Sequence, residues 1–186
     1  MFSDVARTRN NLLQWLLAHG FDINSQTRDG RTVLHRVAAG NELADVKAMI
    51  ALGANPYLTD HYYKATPLGF ALHNRAWDVA NYLRDVSDNI FDLTRMVYVE
   101  GIAKLLAQNP SLARATTPMG NTPLHVVGNA LDHVVDLEAT GAVVRLLLQH
   151  GADPHATNNE GLTPAQFHRK MGNDEVADLV TAVVGA

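Results

Sequence analysis

Nine histidines are the residues of this sequence whose chemistry first suggests catalysis or metal binding. The 186-residue chain has no cysteine, so it has neither a thiolate nucleophile nor a thiolate metal ligand. Its four serines lie in termini or connecting segments, and no motif places a histidine beside any of them. The G-x-S-x-G elbow, the phosphate-binding loop, the G-x-G-x-x-G loop and the H-E-x-x-H zinc motif are all absent. We therefore predict no catalytic residues and no cofactor.

One group of side chains has a spacing that would suit a metal ion. Asp132 and Asp136 are four residues apart, which places them on one face of a helix, and His133 lies between them. A small-molecule or metal site in the segment 128–140, with weak hydrolytic activity, is therefore the alternative function. A solvated acidic loop is the competing interpretation of the same residues.

Four of the other histidines recur at positions that have structural explanations. His35 and His125 are each the fourth residue of a related tetrad, TVLH or TPLH. His19 and His150 immediately precede a glycine at the end of an apolar run, where an imidazole favours the negative end of a helix. These positions predict structural roles.

Two motifs alternate along the chain, and together they define a repeat. The tetrads begin at Thr32, Thr66, Thr122 and Thr163, and three of the four have proline second. Threonine is a favourable N-cap and proline fits the first helical position, so each tetrad predicts the start of a helix. Runs such as LLAHG, MIALG and LLLQHG end in glycine, which closes a second helix.

In this order and spacing, the two motifs resemble those of ankyrin repeats, whose period is about 33 residues. The resemblance implies an all-α solenoid of about five to six helix-turn-helix repeats with short projecting hairpin fingers, forming a single domain over residues 1–186. It also implies that His35 and His125 bond to the backbone or to the tetrad threonine. The predicted repeats are 1–26 (a partial repeat or cap), 27–60, 61–86, 87–115 (degenerate), 116–157 (with an insertion) and 158–186 (a cap).

Two repeats depart from the pattern. Residues 87–115 contain no threonine tetrad, and only residues 85–89 separate their first helix from the preceding one, so we expect one finger to be missing there. The surplus length of the repeat 116–157 falls in residues 128–140, which predicts an exposed loop.

Leucines of the tetrads and of the second helices are predicted to form the core. We expect Leu34, Leu124 and Leu147 to be buried between repeats, and we expect Trp15 and Trp77 to pack in the core as well.

The finger at residues 61–65 differs from the other three. Tyr63 and Lys64 stand where Asp29 and Gly30 stand in the preceding finger, so a favourable turn glycine has been replaced by bulky side chains. Exposed tyrosines are frequent at interface hot spots. The alternative is that one tyrosine folds back onto the solenoid. The predicted partner-binding residues are Arg28, Asp29, Arg31, His61, Tyr62, Tyr63, Lys64, Asn74 and Arg75.

Charge and hydropathy narrow the class of partner. The net charge of −4 argues against nucleic acid, and no apolar run is long enough to span a membrane. The ankyrin resemblance implies a protein partner, bound through the fingers and a concave face. We therefore expect a non-catalytic cytoplasmic adaptor or inhibitor, such as a bacterial immunity protein. The segment LLAQNPSLARA resembles prokaryotic ankyrin proteins, and a fragment of a longer protein would fit the sequence equally well.

Overall fold

The computed structural model describes residues 14–15, 17–129 and 136–184 of the chain. The chain divides into two compact units, unit 1 (Met1–Ser87) and unit 2 (Asp88–Ala186). Over the described residues every regular element is helical, with no β-strand. The predicted all-α class is thereby confirmed.

Helices follow one another in pairs in both units. In unit 1 the helices whose bounds are described are α1 (Val33–Ala39), α2 (Leu43–Ala51), α3 (Pro67–His73) and α4 (Trp77–Arg84), and residues 14–15 and 17–18 are helical as well. In unit 2 they are α5 (Ile90–Arg95), α6 (Val99–Gln108), a 3-10 helix (Pro110–Arg114), α7 (Pro123–Val126), α8 (Leu137–Gln149), α9 (Pro164–Lys170) and α10 (Asp174–Val184).

The tetrad threonines begin the first helix of a pair, as predicted. Thr32, Thr66, Thr122 and Thr163 are all N-caps with an extended backbone. Three of these helices start with proline, where the missing N–H is not needed. Threonine is therefore the residue that sets where most first helices begin.

The degenerate repeat forms a helix pair without that tetrad. Asn89 takes the place of threonine, and its side-chain oxygen accepts hydrogen bonds from the N–H groups of Phe91 (2.9 Å) and Asp92 (3.2 Å). Only residues 85–89 connect α4 to α5, whereas residues 52–66 connect α2 to α3. The short connection leaves no room for a finger, which confirms that prediction.

In each of the five helix pairs whose bounds the structure describes, a left-handed residue turns the chain between the two helices. The five residues have φ angles between +55° and +78°, and they are Asn41, Arg75, Val97, Gly128 and Gly172. Glycine and asparagine tolerate this conformation, but a β-branched residue rarely adopts it. Val97 is therefore a strained position.

Within each unit the helices pack in two layers. In unit 1, α1 packs against α3 and α2 packs against α4. In unit 2, α7 packs against both α5 and α9, and α8 packs against both α6 and α10. The first helices of the pairs thus form one layer and the second helices form the other. Leu34, Leu124 and Leu147 are buried, as predicted.

The sequence predicts an exposed loop over residues 128–140. The last four of these residues, 137–140, belong to a helix instead, so that part of the prediction is wrong. Helix α8 begins at Leu137, because the Asp136 carboxylate caps it by accepting the N–H of Ala139 at 3.0 Å. Thr140 is fully buried. Residues 130–135, including Asp132 and His133, lie outside the described residues.

The two tryptophans have different environments. Trp15 is 56% exposed and stacks on His19 with a centroid separation of 4.0 Å, so its predicted place in the core is wrong. Trp77 is half-buried and begins α4. The stacking of Trp15 on His19 shields one face of each ring without burying either.

Candidate functional site

The first finger, residues 27–31, is a tight turn closed by the backbone. The N–H of Thr27 donates to the Arg31 oxygen at 2.9 Å, and the N–H of Gly30 donates to the Thr27 oxygen at 2.8 Å. The hydroxyl of Thr27 also accepts the N–H of Arg31 at 3.2 Å. Gly30 has a φ of +79°, the left-handed conformation that such a turn requires.

The second finger, residues 60–65, is built around a buried carboxylate. Asp60 is fully buried, and its Oδ1 accepts hydrogen bonds from the N–H of Ala65 at 2.9 Å and of Tyr63 at 3.2 Å. Its Oδ2 accepts the N–H of Tyr62 at 3.3 Å. These bonds fix the backbone of the finger. The predicted site residues do not include Asp60, although an aspartate before a turn commonly binds the backbone that follows it.

Lys64 replaces the turn glycine in conformation as well as in position. Its φ of +52° is left-handed, like that of Gly30 in the first finger. A lysine is less suited to this region than glycine. The hydrogen bonds that the Asp60 carboxylate accepts from Tyr63 and Ala65 hold the finger in this conformation and offset its cost.

His61 joins the two fingers of unit 1. Its backbone N–H donates to the Asp29 oxygen at 2.8 Å, and its Nδ1 donates to the Arg28 oxygen at 3.2 Å. Its ring lies against Gly30, where a β-carbon would collide with it. The first finger is thereby fixed relative to the second.

The same contact recurs in unit 2, between the third finger (residues 117–121) and the fourth finger (residues 158–162). The N–H of Asn159 donates to the Met119 oxygen and its Nδ2 donates to the Pro118 oxygen, both at 3.0 Å. Asn158 takes the position of Asp60, and its Oδ1 accepts the N–H groups of Glu160 and Leu162. The fingers therefore share one backbone architecture and differ in their side chains.

The side chains at the apex of the second finger face solvent. Tyr62 is 67% exposed and Tyr63 is 65% exposed. Neither tyrosine is folded into the core, so the alternative in which one packs back on the helices does not hold. Lys64 and Arg28 are also exposed, whereas Asp29 is half-buried. These five residues belong to two adjacent fingers that are joined by His61.

Three predicted site residues are associated with α3 rather than with the second finger: the side chain of Arg31, from the first finger, contacts α3, and Asn74 and Arg75 follow its last residue. The Arg31 guanidinium carbon lies 5.0 Å from the centroid of the Phe70 ring, a cation–π contact. Asn74 ends α3, and its Nδ2 donates to the Phe70 oxygen at 2.8 Å. Arg75 follows at the far end of this helix from the second finger, about 10 Å away along its axis. Phe70, which links Arg31 to α3, is not among the predicted site residues.

The tetrad histidines serve the fold. The Thr32 N–H donates to His35 Nδ1 at 3.1 Å, and His35 Nε2 donates to the Ala65 oxygen of the second finger at 3.2 Å. His125 makes the same two bonds, to Thr122 at 3.1 Å and Leu162 at 3.0 Å. Burial lowers the pKa of both imidazoles. At neutral pH both imidazoles are therefore uncharged, and they tie each first helix to the next finger.

The described part of the chain contains no group of three or more histidine, aspartate or glutamate side chains that could hold a metal ion. Of the three residues in the alternative site, Asp136 caps α8 and the other two fall in the segment 130–135. Among the helices that the structure describes, none is long and apolar enough to cross a bilayer.

The repeated helix pairs, the threonine caps and the stacked fingers define an ankyrin-repeat protein. The family model for three copies of the ankyrin repeat matches residues 3–92, and the single-repeat model matches residues 119–159. The chain belongs to the ankyrin-repeat family, whose members generally mediate protein–protein interactions. The stretch between the two matches contains most of the degenerate repeat.

Individual relatives agree with this assignment. The Escherichia coli (strain K12) protein YahD, which is named as an ankyrin repeat protein, is 31% identical over 180 residues that cover 89% of this chain and 86% of YahD. An ankyrin repeat domain (ABAYE2397) from Acinetobacter baumannii AYE has 19% identity and a TM-score of 0.54, with coverage of 96% of this chain and 94% of that one.

A further structural relative is a chain in the structure of the Bd0816 predatory endopeptidase from Bdellovibrio bacteriovorus in complex with immunity protein Bd3460. The TM-score is 0.55 at 22% identity, with coverage of 91% of this chain and 89% of that one. At this identity the likeness is one of fold.

Proposed function

We propose that this chain is a non-catalytic protein-binding module of the bacterial cytoplasm, and that the two fingers of unit 1 form the centre of its interface. The proposal depends on the exposure of Tyr62 and Tyr63, which is 67% and 65%. The backbone that carries these two side chains is held by hydrogen bonds to the buried carboxylate of Asp60. Tyrosine offers a large contact area with a polar end and few rotatable bonds, which suits an interface hot spot.

Preorganisation of the fingers strengthens this proposal. Binding is weakened when a flexible loop must be ordered at the moment of association. Here the second finger is held by three backbone N–H bonds to one carboxylate and by the His61 contacts with the first finger. The tyrosines are therefore presented by a backbone that needs little further ordering.

Inhibition of an enzyme is one role such a module would serve, and an adaptor role is the other. The complex of an endopeptidase with an immunity protein contains a chain of the same fold, which supports an inhibitory role for a chain of this size. The relationship to the Escherichia coli protein supports a bacterial setting.

The test compares partner capture by matched variants of the purified, immobilised chain. Proteins retained from a lysate of the source cells are identified by mass spectrometry, and the affinity of each is then measured with purified components. We expect the Tyr62→Ala, Tyr63→Ala double variant to weaken binding by about 2 kcal/mol or more, with little change in the free energy of unfolding.

The matched control removes an exposed aromatic residue elsewhere in unit 1. Tyr57 is 47% exposed and lies outside both fingers, so Tyr57→Ala is expected to leave the affinity unchanged. A folded double variant that retains full affinity would contradict the proposed interface.

A further inference from the structure

Charge in unit 1 is segregated between its two layers. The two fingers, α1, α3 and the two residues after α3 contain five cationic side chains and two carboxylates. The cations are Arg28, Arg31, Arg36, Lys64 and Arg75. The second-helix segments 42–53 and 77–85 show the reverse, with two cations and four carboxylates. The positive charge thus lies in the layer that includes the fingers.

The two carboxylates of the finger layer are less exposed than Arg28 and Lys64. Asp60 is fully buried and accepts hydrogen bonds from three backbone N–H groups. Asp29 is half-buried. Arg28 and Lys64, by contrast, are exposed, and within the described part of the chain neither forms an ion pair. The exposed charge of the two fingers is positive.

Unit 2 shows that this charge is not a general feature of the fingers. The third and fourth fingers, residues 117–121 and 158–162, contain no lysine or arginine. Glu160 is paired with Lys170 at 2.7 Å, and the next cation of α9, Arg169, is paired with Asp178 at 2.7 Å. Cations of the corresponding layer in unit 2 are thus neutralised locally.

The whole chain has a net charge of −4, so a positive surface is not explained by overall composition. We propose that the fingers of unit 1 bind an acidic segment of a protein, in which carboxylates contact Arg28 and Lys64 and an apolar or aromatic side chain packs on Tyr62 and Tyr63. This inference rests on the proposed function and specifies the chemistry of the partner. Complementary charge steers such a segment to the surface, and the tyrosines supply contact area.

The test uses three synthetic peptides of equal length and equal phenylalanine content, whose other positions are all Glu, all Gln or all Lys. Binding to the intact chain is followed by fluorescence anisotropy at low and at physiological ionic strength. We expect the Glu peptide to bind about tenfold or more tightly than the Gln peptide, with an affinity that falls as salt is added. The Lys peptide should bind most weakly.

Charge-reversal variants locate the effect. Arg28→Glu with Lys64→Glu should weaken binding of the Glu peptide about tenfold or more, while binding of the Gln peptide is unchanged. The control is Lys47→Glu with Lys104→Glu, which makes the same change in net charge on exposed residues of the second helices α2 and α6. This control should change the affinity for the Glu peptide less than about twofold.

Several outcomes would overturn the proposal: no binding of the Glu peptide, equal binding of the Glu and Gln peptides, or equal losses in the two charge-reversed variants. A short DNA duplex or an anionic lipid vesicle that binds more tightly, and is lost in the Arg28→Glu, Lys64→Glu variant, would assign the surface to another class of partner. If the Gln peptide binds equally well and its binding depends on Tyr62 and Tyr63, the protein-binding function stands and only the acidic partner is rejected.

Discussion

The imidazole of His61 lies directly against the α-carbon of Gly30. A β-carbon at Gly30 would collide with the Cδ2, Nε2 and Cγ atoms of the ring. Gly30 also has a φ of +79°, which disfavours any side chain independently of its surroundings. Two features therefore require glycine at position 30. One is the contact between the two fingers, and the other is the turn within the first finger.

Replacing Gly30 with alanine should destabilise unit 1 through both effects. The left-handed conformation alone costs about 1 kcal/mol, and displacement of His61 should raise the total to about 2–3 kcal/mol. Urea unfolding followed by circular dichroism measures the difference. Gly161→Ala is the matched control, because Gly161 has a φ of +72° but no atom within 4 Å of the place that a β-carbon would occupy. Equal losses for the two variants would show that His61 is easily displaced.

Asp60 should be the most sensitive residue of the second finger. Asp60→Ala leaves three backbone N–H groups without their acceptor, at a cost of about 3 kcal/mol in the free energy of unfolding. Asp60→Asn should cost only about 1 kcal/mol, since Asn158 serves the same purpose in the fourth finger. Chemical denaturation of both variants tests this order. Similar losses for Ala and Asn would mean that the carboxylate does not hold the finger.

Val97 offers a stabilising substitution. It is β-branched with a φ of +55°, whereas Asn41 has a φ of +56° at the equivalent turn of unit 1. Val97→Asn should therefore raise the free energy of unfolding by about 1 kcal/mol, because asparagine tolerates the left-handed region. The midpoint of urea unfolding is the measurement. The control is Val99→Asn, at the start of α6, which should not raise the midpoint. A lower midpoint for Val97→Asn than for the unchanged chain would contradict the conclusion that Val97 is strained.

His168 should make stability depend on pH. Its Nε2 donates to the Leu124 oxygen at 3.1 Å, and burial lowers its pKa to about 4, helped by nearby His125. Between this value and the ordinary pKa of about 6.5, the unfolded chain binds more protons than the folded one. Stability conferred by the neutral imidazole is therefore complete above pH 6.5 and declines as the pH falls towards 4.

The expected loss from His168 is about 2 kcal/mol between pH 7 and pH 5. In His168→Gln, whose amide can still donate to Leu124, this contribution is absent. Urea unfolding of both proteins at the two pH values should show a smaller decline for the variant. Parallel declines would assign the acid sensitivity to other groups, of which His35 and His125 also have lowered pKa values.

Local chemistry makes much of the fold predictable from the sequence. Threonine and proline mark the starts of first helices in an unambiguous way, and the count of residues between α4 and α5 is enough to predict a missing finger. The end of the insertion is mispredicted because the Asp136 cap extends α8 towards its N-terminus. Trp15 is mispredicted because it stands at an apolar position of the repeat pattern but is 56% exposed, with its ring stacked on His19 one helical turn later.

The candidate site is predictable only in part. The replacement of a turn glycine by Lys64 is visible in the sequence, and so is the pair of tyrosines. The role of Asp60 depends on its burial, and the role of Phe70 depends on its contact with Arg31. Both are features of the tertiary structure, which the local sequence does not show. Arg75 is predicted to bind the partner together with the residues of the second finger, although the length of α3 separates it from that finger.

The buried carboxylate of Asp60 makes the shape of the second finger independent of the side chains at its apex. Residues 62 and 63 contribute their N–H groups to that shape, and every amino acid except proline has one. Mutation at these two positions therefore changes what the finger displays without changing how it is folded. Such positions are where binding specificity can diverge between related chains, and where new recognition sequences can be grafted.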